Sequence, residues 1–295
     1  MKTISRLVSG SAVVACTLAA WGCVEIAGDG WPRYVERDEK RFSVSGRPDL
    51  SVSTFDGSVE IRAWDRPEVL VVIEKRAGDK AEAATIEIRA EQNGDRVTVD
   101  VKASTRLWHG SRSANLIVSI PAVSDVRASS GDGSLSISRI TGTLDLRSGD
   151  GSIHGSGLAG DLRVHTGDGS INLEDVSGGV DTDTGDGSIS VAGKLTSVRA
   201  RSGDGRIAIR AEPGSNTGGD WDINTGDGSI TIDLPDAFGG ELDAHTGDGG
   251  IQLSNLTLSG VSGELDRHNM RGRLGPGGHP VRVRTGDGSI TIRRF

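Results

Sequence analysis

Apolar and polar residues alternate along most of this chain. Leu50, Val52 and Thr54 are separated by serines, and Leu116, Val118 and Ile120 form a similar run closed by Pro121. A period of two marks a strand with one buried face. Val69 to Ile73 is a continuous apolar run, which suits a strand covered on both faces. Ile86, Ile88 and Ala90, then Val97, Val99 and Val101, flank Gln92-Asn93-Gly94-Asp95. That arrangement predicts a hairpin with a type I′ turn, because Asn and Gly both tolerate positive φ. Thr105 to Ser113 reads as a loop.

From Val126 onward a repeat organises the alternation. Gly-Asp-Gly corners place aspartates at Asp132, Asp150, Asp168, Asp186, Asp204, Asp227, Asp248 and Asp287, and Asp56 centres an earlier relative. The first four steps are 18 residues each, the next two are 23 and 21, and the last is 39, about two periods. His268 to Leu274 aligns with His245 to Ile251 and fills that gap, with Arg271 in the aspartate slot. Each coil repeats an inward set. Leu144 and Leu146, Leu162 and Val164, Trp221 and Ile223 stand six and four residues before the slot; Leu135 and Ile137, Ile171 and Leu173, Ile230 and Ile232 stand three and five after it. Two before the slot is nearly always Ser or Thr, able to hydrogen-bond a stacked neighbour or the backbone. The Gly-Asp-Gly itself reads as turn chemistry, with Gly supplying positive φ and Asp bonding its own backbone.

Five before the slot stand Arg127, Asp145, Arg163, Asp181, Arg199, Asp222, Asp243, Asp266 and Arg282, alternating in sign through the first six. Stacked parallel strands place such residues about 4.8 Å apart, where opposite charges attract. One coil cannot bury enough to stand alone, so stability accrues along a stack. The expected fold is all-β: a parallel β-solenoid (β-helix) preceded by irregular antiparallel strands and a hairpin. Those strands cap or extend the front, and Arg293 and Arg294 guard the back edge against further pairing.

Composition and the N-terminus add location. Aromatics are 3% of the chain and net charge is −8, a balance that argues against nucleic acid. Lys2 and Arg6 precede an apolar run from Leu7 to Ala20, too short for a membrane span. Ala20-Trp21-Gly22-Cys23 then offers a lipobox-like site. The expected organisation is a signal peptide over 1–22, a tether over 23–40, an N-terminal β region over 41–125 and the repeat solenoid over 126–295, with Cys23 lipidated. Cys16 and Cys23 are the only cysteines, so the mature chain forms no internal disulfide.

The chain resembles a bacterial putative-adhesin β-solenoid family of unknown molecular function, similar to the head GIN-domain adhesins. The resemblance rests on Phe42-Ser43-Val44-Ser45, Leu50-Ser51-Val52, Asp56 to Ile61, the Gln92-to-Val101 hairpin, Ile117 to Pro121 and the serial Gly-Asp-Gly turns, over roughly residues 41–295. It implies a cell-envelope surface role and transfers no catalytic residue.

The candidate chemistry is modest. Asp56, Asp132, Asp150, Asp168, Asp186, Asp204, Asp227, Asp248 and Asp287 form a repeat-turn column, structural first and a candidate cation ladder second. His165, His245 and His268 share an outward column in which His245 and His268 fall in adjacent coils. Trp108 and His109 sit in the Thr105–Ser113 loop. The insertions Ala211–Gly219, Asp233–Gly240 and Ser254–Gly263 are the places to look for a binding face. No nucleotide loop, zinc signature or Ser-His-Asp pattern is visible, and no cofactor or metal is expected. The sequence thus points to a non-enzymatic, monomeric, lipid-anchored envelope scaffold or adhesin whose partner is an envelope protein or glycan. The alternatives are a polysaccharide-active β-helix enzyme and a cation-binding envelope sensor.

Overall fold

The computed structural model describes residues 19–20, 24–25, 34–104, 112–261 and 267–295. Cys23, Trp108, His109 and Asp266 lie outside them, as does most of the Thr105–Ser113 loop.

Each coil is a layer of two strands joined at a Gly-Asp-Gly corner. The leading strands run in register through Asp49–Thr54, Asp125–Ser130, Thr141–Ser148, the later halves of Ile153–Thr166, Ile171–Thr184 and Ile189–Ser202, and on to Trp221–Thr225. The trailing strands stack likewise through Val59–Trp64, Leu135–Ser138, the first halves of the same three long strands, Ile207–Ala211 and Ile230–Leu234. All these pairings are parallel. The apolar pairs flanking each slot turn inward, and all are under 4% exposed except Ile251 and Leu253 of the outermost Asp248 layer, the latter half-buried. Ile140, Leu158, Val176 and Leu195 fill the opposite corner.

The layers are not stacked in chain order at either end. At the front, Arg96–Ala103 pairs parallel with Asp49–Thr54, and Ser113–Pro121 with Val59–Trp64. The chain therefore steps out from the Asp56 layer, builds an outer one, and crosses back to the Asp132 layer. At the back, Pro280–Thr285 lies between Trp221–Thr225 and Gly240–Thr246, and Ile290–Arg294 between Ile230–Leu234 and Ile251–Ser254. The Asp287 layer is thus inside the Asp248 layer. Nine aspartate-cornered layers and the outer front one make ten among the described residues.

Antiparallel strands close both ends. Glu68–Ala77 pairs with Ser113–Pro121, Tyr34–Ser43 pairs with Glu68–Ala77, and Ile86–Asn93 pairs with Arg96–Ala103. At the back Asn269–Leu274 pairs with Gly240–Thr246, followed by Leu258–Ser259.

Several expectations change. The tether over 23–40 is too long, since Tyr34–Ser43 is a strand bonded along its length to Glu68–Ala77. The break at 125/126 divides irregular from regular sequence but not the stack, because Asp125–Ser130 sits directly on Asp49–Thr54. The hairpin forms, but its two-residue loop is Gly94-Asp95, with Asn93 paired to Arg96. Only Gly94 has positive φ (61°), the II′ pattern rather than I′. The His268–Leu274 copy is not a coil: Asn269–Leu274 runs antiparallel, and Arg271 faces Asp243 instead of entering the aspartate column. A period of two reads the same in either direction, so alternation alone could not tell these apart. Arg293 and Arg294 guard no edge. Their strand is interior, Arg293 bonds Asp233 at 2.8 Å, and Arg294 donates to the Phe238 carbonyl.

The spatial order accounts for the charge column. Along the stack it reads Arg127, Asp145, Arg163, Asp181, Arg199, Asp222, Arg282, Asp243, Arg271. The alternation that breaks in chain order is continuous across nine strands in space.

Charge also ties the front together. Burial pushes the Asp125 carboxyl up, but the Thr143 N–H and the Arg47 guanidinium outweigh it and hold it below its ordinary value. At Asp100 burial is likewise outweighed, by Lys102 and the Ser53 hydroxyl. A carboxylate with a depressed folded pKa contributes stability that is present above its unfolded value and lost as pH falls through the folded one. Stability should therefore fall below about pH 4. Asp100→Asn/Asp125→Asn should show a shallower acid decline by circular dichroism.

Candidate functional site

The Gly-Asp-Gly corner was the first candidate, and the structure explains it residue by residue. Among the described corners only Gly57, beside Asp56, has positive φ (121°). In the following coils the positive-φ residue lies seven residues after the slot, at the opposite corner, in Arg139 (58°), Gly157 (63°), Asp175 (52°) and Gly193 (152°). At the aspartate corner glycine is needed for close approach. A Cβ on Gly205 would stand 2.0 Å from the Gly187 carbonyl oxygen of the layer beneath, and one on Gly228 would stand 2.0 Å from that of Gly205. The N–H of the first corner glycine donates to its counterpart in the next layer, continuously through Gly149, Gly167, Gly185, Gly203, Gly226, Gly286 and Gly247.

The hydroxyl two before the slot locks the same corner. Ser148 donates to the Gly133 carbonyl at 2.8 Å, Thr166 to Gly151 at 2.8 Å, Thr225 to Gly205 at 2.8 Å, Thr285 to Gly228 at 2.8 Å and Thr246 to Gly288 at 2.7 Å. This is the stacked-neighbour bond that the Ser/Thr column implied. The ladder also follows the spatial order, with Thr285 and Thr246 exchanged relative to the chain.

The aspartates are left facing solvent in one ridge. Asp132, Asp150, Asp168, Asp186, Asp204, Asp227, Asp287 and Asp248 are exposed and Asp56 is half-buried. Among the described residues no corner carboxylate bonds its own backbone, so the Asx-turn expectation gives way to an acidic ridge. No group of three His, Cys, Asp or Glu side chains among the described residues is placed to hold a metal ion.

The two outer walls differ in chemistry. The leading wall carries the alternating column, and beside it Arg147, His165, Asp183, Arg201, Asn224, Arg284 and His245 in register. A shallow groove of about 500 Å³ opens on it, lined by Asp145, Asp161, Arg163, Asp181, Arg199 and Asp222. The trailing wall carries Ser136, His154, Asn172, Ser190, Ala208, Thr231, Thr291 and Gln252 in one register. The leading wall's charge column was legible in the sequence. The groove was not, because it depends on Gly179 and Ser197 leaving room beside longer side chains.

The remaining candidates come apart. His245 Nδ1 meets Asn269 Oδ1 at 2.7 Å, and Asn269 rather than His268 is its cross-strand partner. His165 meets Asp183 at 3.0 Å. Two of the three insertions are structural. Ser215 Oγ accepts the Leu195 N–H and donates to the Gly193 carbonyl, stacking its loop on the corner below. Phe238 is buried edge-on against Trp221, their ring centroids 4.9 Å apart. The third insertion contributes Leu258–Ser259 to the antiparallel back cap.

Asp145 is flanked by Arg127 and Arg163 and bonded by Arg147 through both oxygens, at 2.9 and 3.0 Å. Asp145→Arg should cost a few tenths of a kcal/mol per cross-strand pair, read as a lower denaturant midpoint with unchanged slope. A higher midpoint would contradict in-register stacking.

A model of the Toastrack DUF4097 family matches residues 48–293. No curated protein matches the chain. Among solved structures, a putative lipid binding protein from Parabacteroides distasonis is 13% identical, covers 87% of this chain and 96% of its own, and superposes with a TM-score of 0.48. A putative adhesin from Bacteroides fragilis is 12% identical over 87% and 97%, with a TM-score of 0.42. A putative cell adhesion protein from Clostridium sporogenes is 14% identical over 88% and 100%, with a TM-score of 0.28. The family match takes in the irregular front strands and the Gly-Asp-Gly layers alike, and the chain belongs to the Toastrack DUF4097 family.

Proposed function

We propose that the protein is a non-enzymatic interaction scaffold or adhesion surface of a bacterial cell envelope, exported by residues 1–22 and anchored through lipid on Cys23. The observation that carries this reading is the pair of outer walls, each repeating its chemistry layer after layer. A repeated surface suits a repeated or extended partner such as a glycan or another envelope protein. A catalytic centre breaks a repeat once, and two of the three insertions are filled by Ser215 and Phe238, which serve the corner and the core.

Two measurements test the reading. Labelled palmitate should enter the wild type and be absent from Cys23→Ser; label retained by the variant would reject the anchor site. The mature protein should bind envelope glycans without turning them over, and product from any member of a glycan panel would overturn the scaffold in favour of an enzyme. The acidic ridge favours a second reading, a cation-binding envelope sensor. It requires Ca²⁺ to raise the melting temperature, and no shift at millimolar Ca²⁺ would reject it.

A further inference from the structure

We infer that the slot between the Asp227 and Asp248 layers is an exchange site, and that residues 280–294 of a second copy can fill it. Both flanking layers precede this segment in the chain, so the slot is bounded by strands already laid down. Val281 stands between Trp221 and Leu242, and Ile290 between Ile230 and Ile251. The bonds that hold the segment are those of every layer. Thr285 donates to the Gly228 carbonyl, and Thr246 donates to the Gly288 carbonyl. Nothing in them distinguishes the chain's own segment from a copy's.

The slot is nevertheless selective. Asp222 and Asp243 bracket Arg282, Asp220 bonds Arg282 at 3.1 Å, and Asp233 bonds Arg293 at 2.8 Å. An empty slot sets two carboxylates facing each other and asks for a strand with arginine at that register. Segment 280–294 meets the demand, whichever copy supplies it.

The connector makes exchange accessible. Residues 275–279 must carry the chain from Leu274 on one side of Gly240–Thr246 to Pro280 on the other. They do so in a tight arch with three positive-φ glycines, Gly275, Gly277 and Gly278. The arch presses on its neighbours: a Cβ on Gly239 would lie 2.5 Å from the Gly277 carbonyl, and one on Gly278 would lie 2.2 Å from Thr217 Oγ1. Short, tightly folded hinges invite exchange of an identical element between copies. An opened connector would lead the segment away to a second molecule.

The test uses the full chain with Cys16 and Cys23 changed to serine. One copy carries Asn224→Cys and another Arg284→Cys, which are cross-strand partners in the slot. The two are unfolded, mixed, refolded over a range of concentrations and treated with a short bifunctional thiol reagent. Exchange predicts a cross-copy dimer whose yield rises with concentration and exceeds the Asn224→Cys self-pair several-fold. A yield equal to the self-pair at every concentration would overturn the inference. Deletion of Pro276–Gly278, which leaves too little chain to arch over the intervening strand, should give a folded dimer by light scattering; a folded monomer would equally overturn it.

Discussion

Gly205→Ala is expected to destabilise the protein by about 3 kcal/mol or more, at the upper end of the overpacking range. Its new methyl carbon would lie 2.0 Å from the Gly187 carbonyl oxygen and 2.7 Å from the Ser202 hydroxyl. Relief requires the Asp204 layer to lift from the one beneath. Lifting breaks the bond from Ser202 to the Gly187 carbonyl, at 2.9 Å, and loosens the corner ladder on both sides. Because each layer supports the next, the strain cannot be confined to one turn. Gly250 supplies the control. It is one residue beyond a corner, has no positive φ, and a Cβ there meets nothing within 4 Å. Gly250→Ala should stay within about 0.5 kcal/mol of wild type. Equal effects at the two sites, by urea denaturation, would remove close approach as the reason for the repeated glycine.

The second large effect is truncation after Gly278. Val281, Val283, Ile290 and Ile292 are all buried, and their removal takes roughly 6–12 kcal/mol of transfer free energy from the stack, an upper bound. What matters more is where it is lost. If the segment were the terminal coil, truncation would strip one end and leave the layers before it intact. Since it is interior, truncation leaves Trp221–Thr225 and Gly240–Thr246 without a shared partner, with Asp222 and Asp243 facing each other. Protection from hydrogen exchange should vanish across residues 240–274, weaken over 221–234, which keeps its bonds to the Asp204 layer, and persist through the Asp132 to Asp186 layers. Protection retained over 240–254 would contradict the interior placement.

Much of this was legible in the sequence. The inward columns, the Ser/Thr ladder and the parallel stack follow from side-chain periodicity, which burial enforces strictly. The aspartate corner was identified as the repeating bend, but the reason for its glycines was not. Positive φ is a property of one residue, whereas the distance to Gly187 exists only once two layers are stacked. The layer order was missed although its signal was present. The run Asp222, Asp243, Asp266 interrupts the alternation, and Arg282 is the residue that restores it when placed between the first two. Reading the column as a rule for space instead of for chain order would have moved the last segment inward and released Arg271 from the aspartate slot. The groove on the leading wall and the burial of Phe238 were out of reach, since both depend on distances between segments of unlike sequence.

The interior position of residues 280–294 is the central claim, and short-range crosslinking tests it most directly. In a chain with Cys16 and Cys23 changed to serine, Asp222→Cys/Arg282→Cys places the thiols on adjacent strands, whereas Asp222→Cys/Asp243→Cys places them two strands apart, about 10 Å. A thiol crosslinker spanning a single strand spacing should join the first pair within one chain and leave the second unjoined. Efficient joining of the second pair, with the first left unjoined, would show that the layers stack in chain order after all.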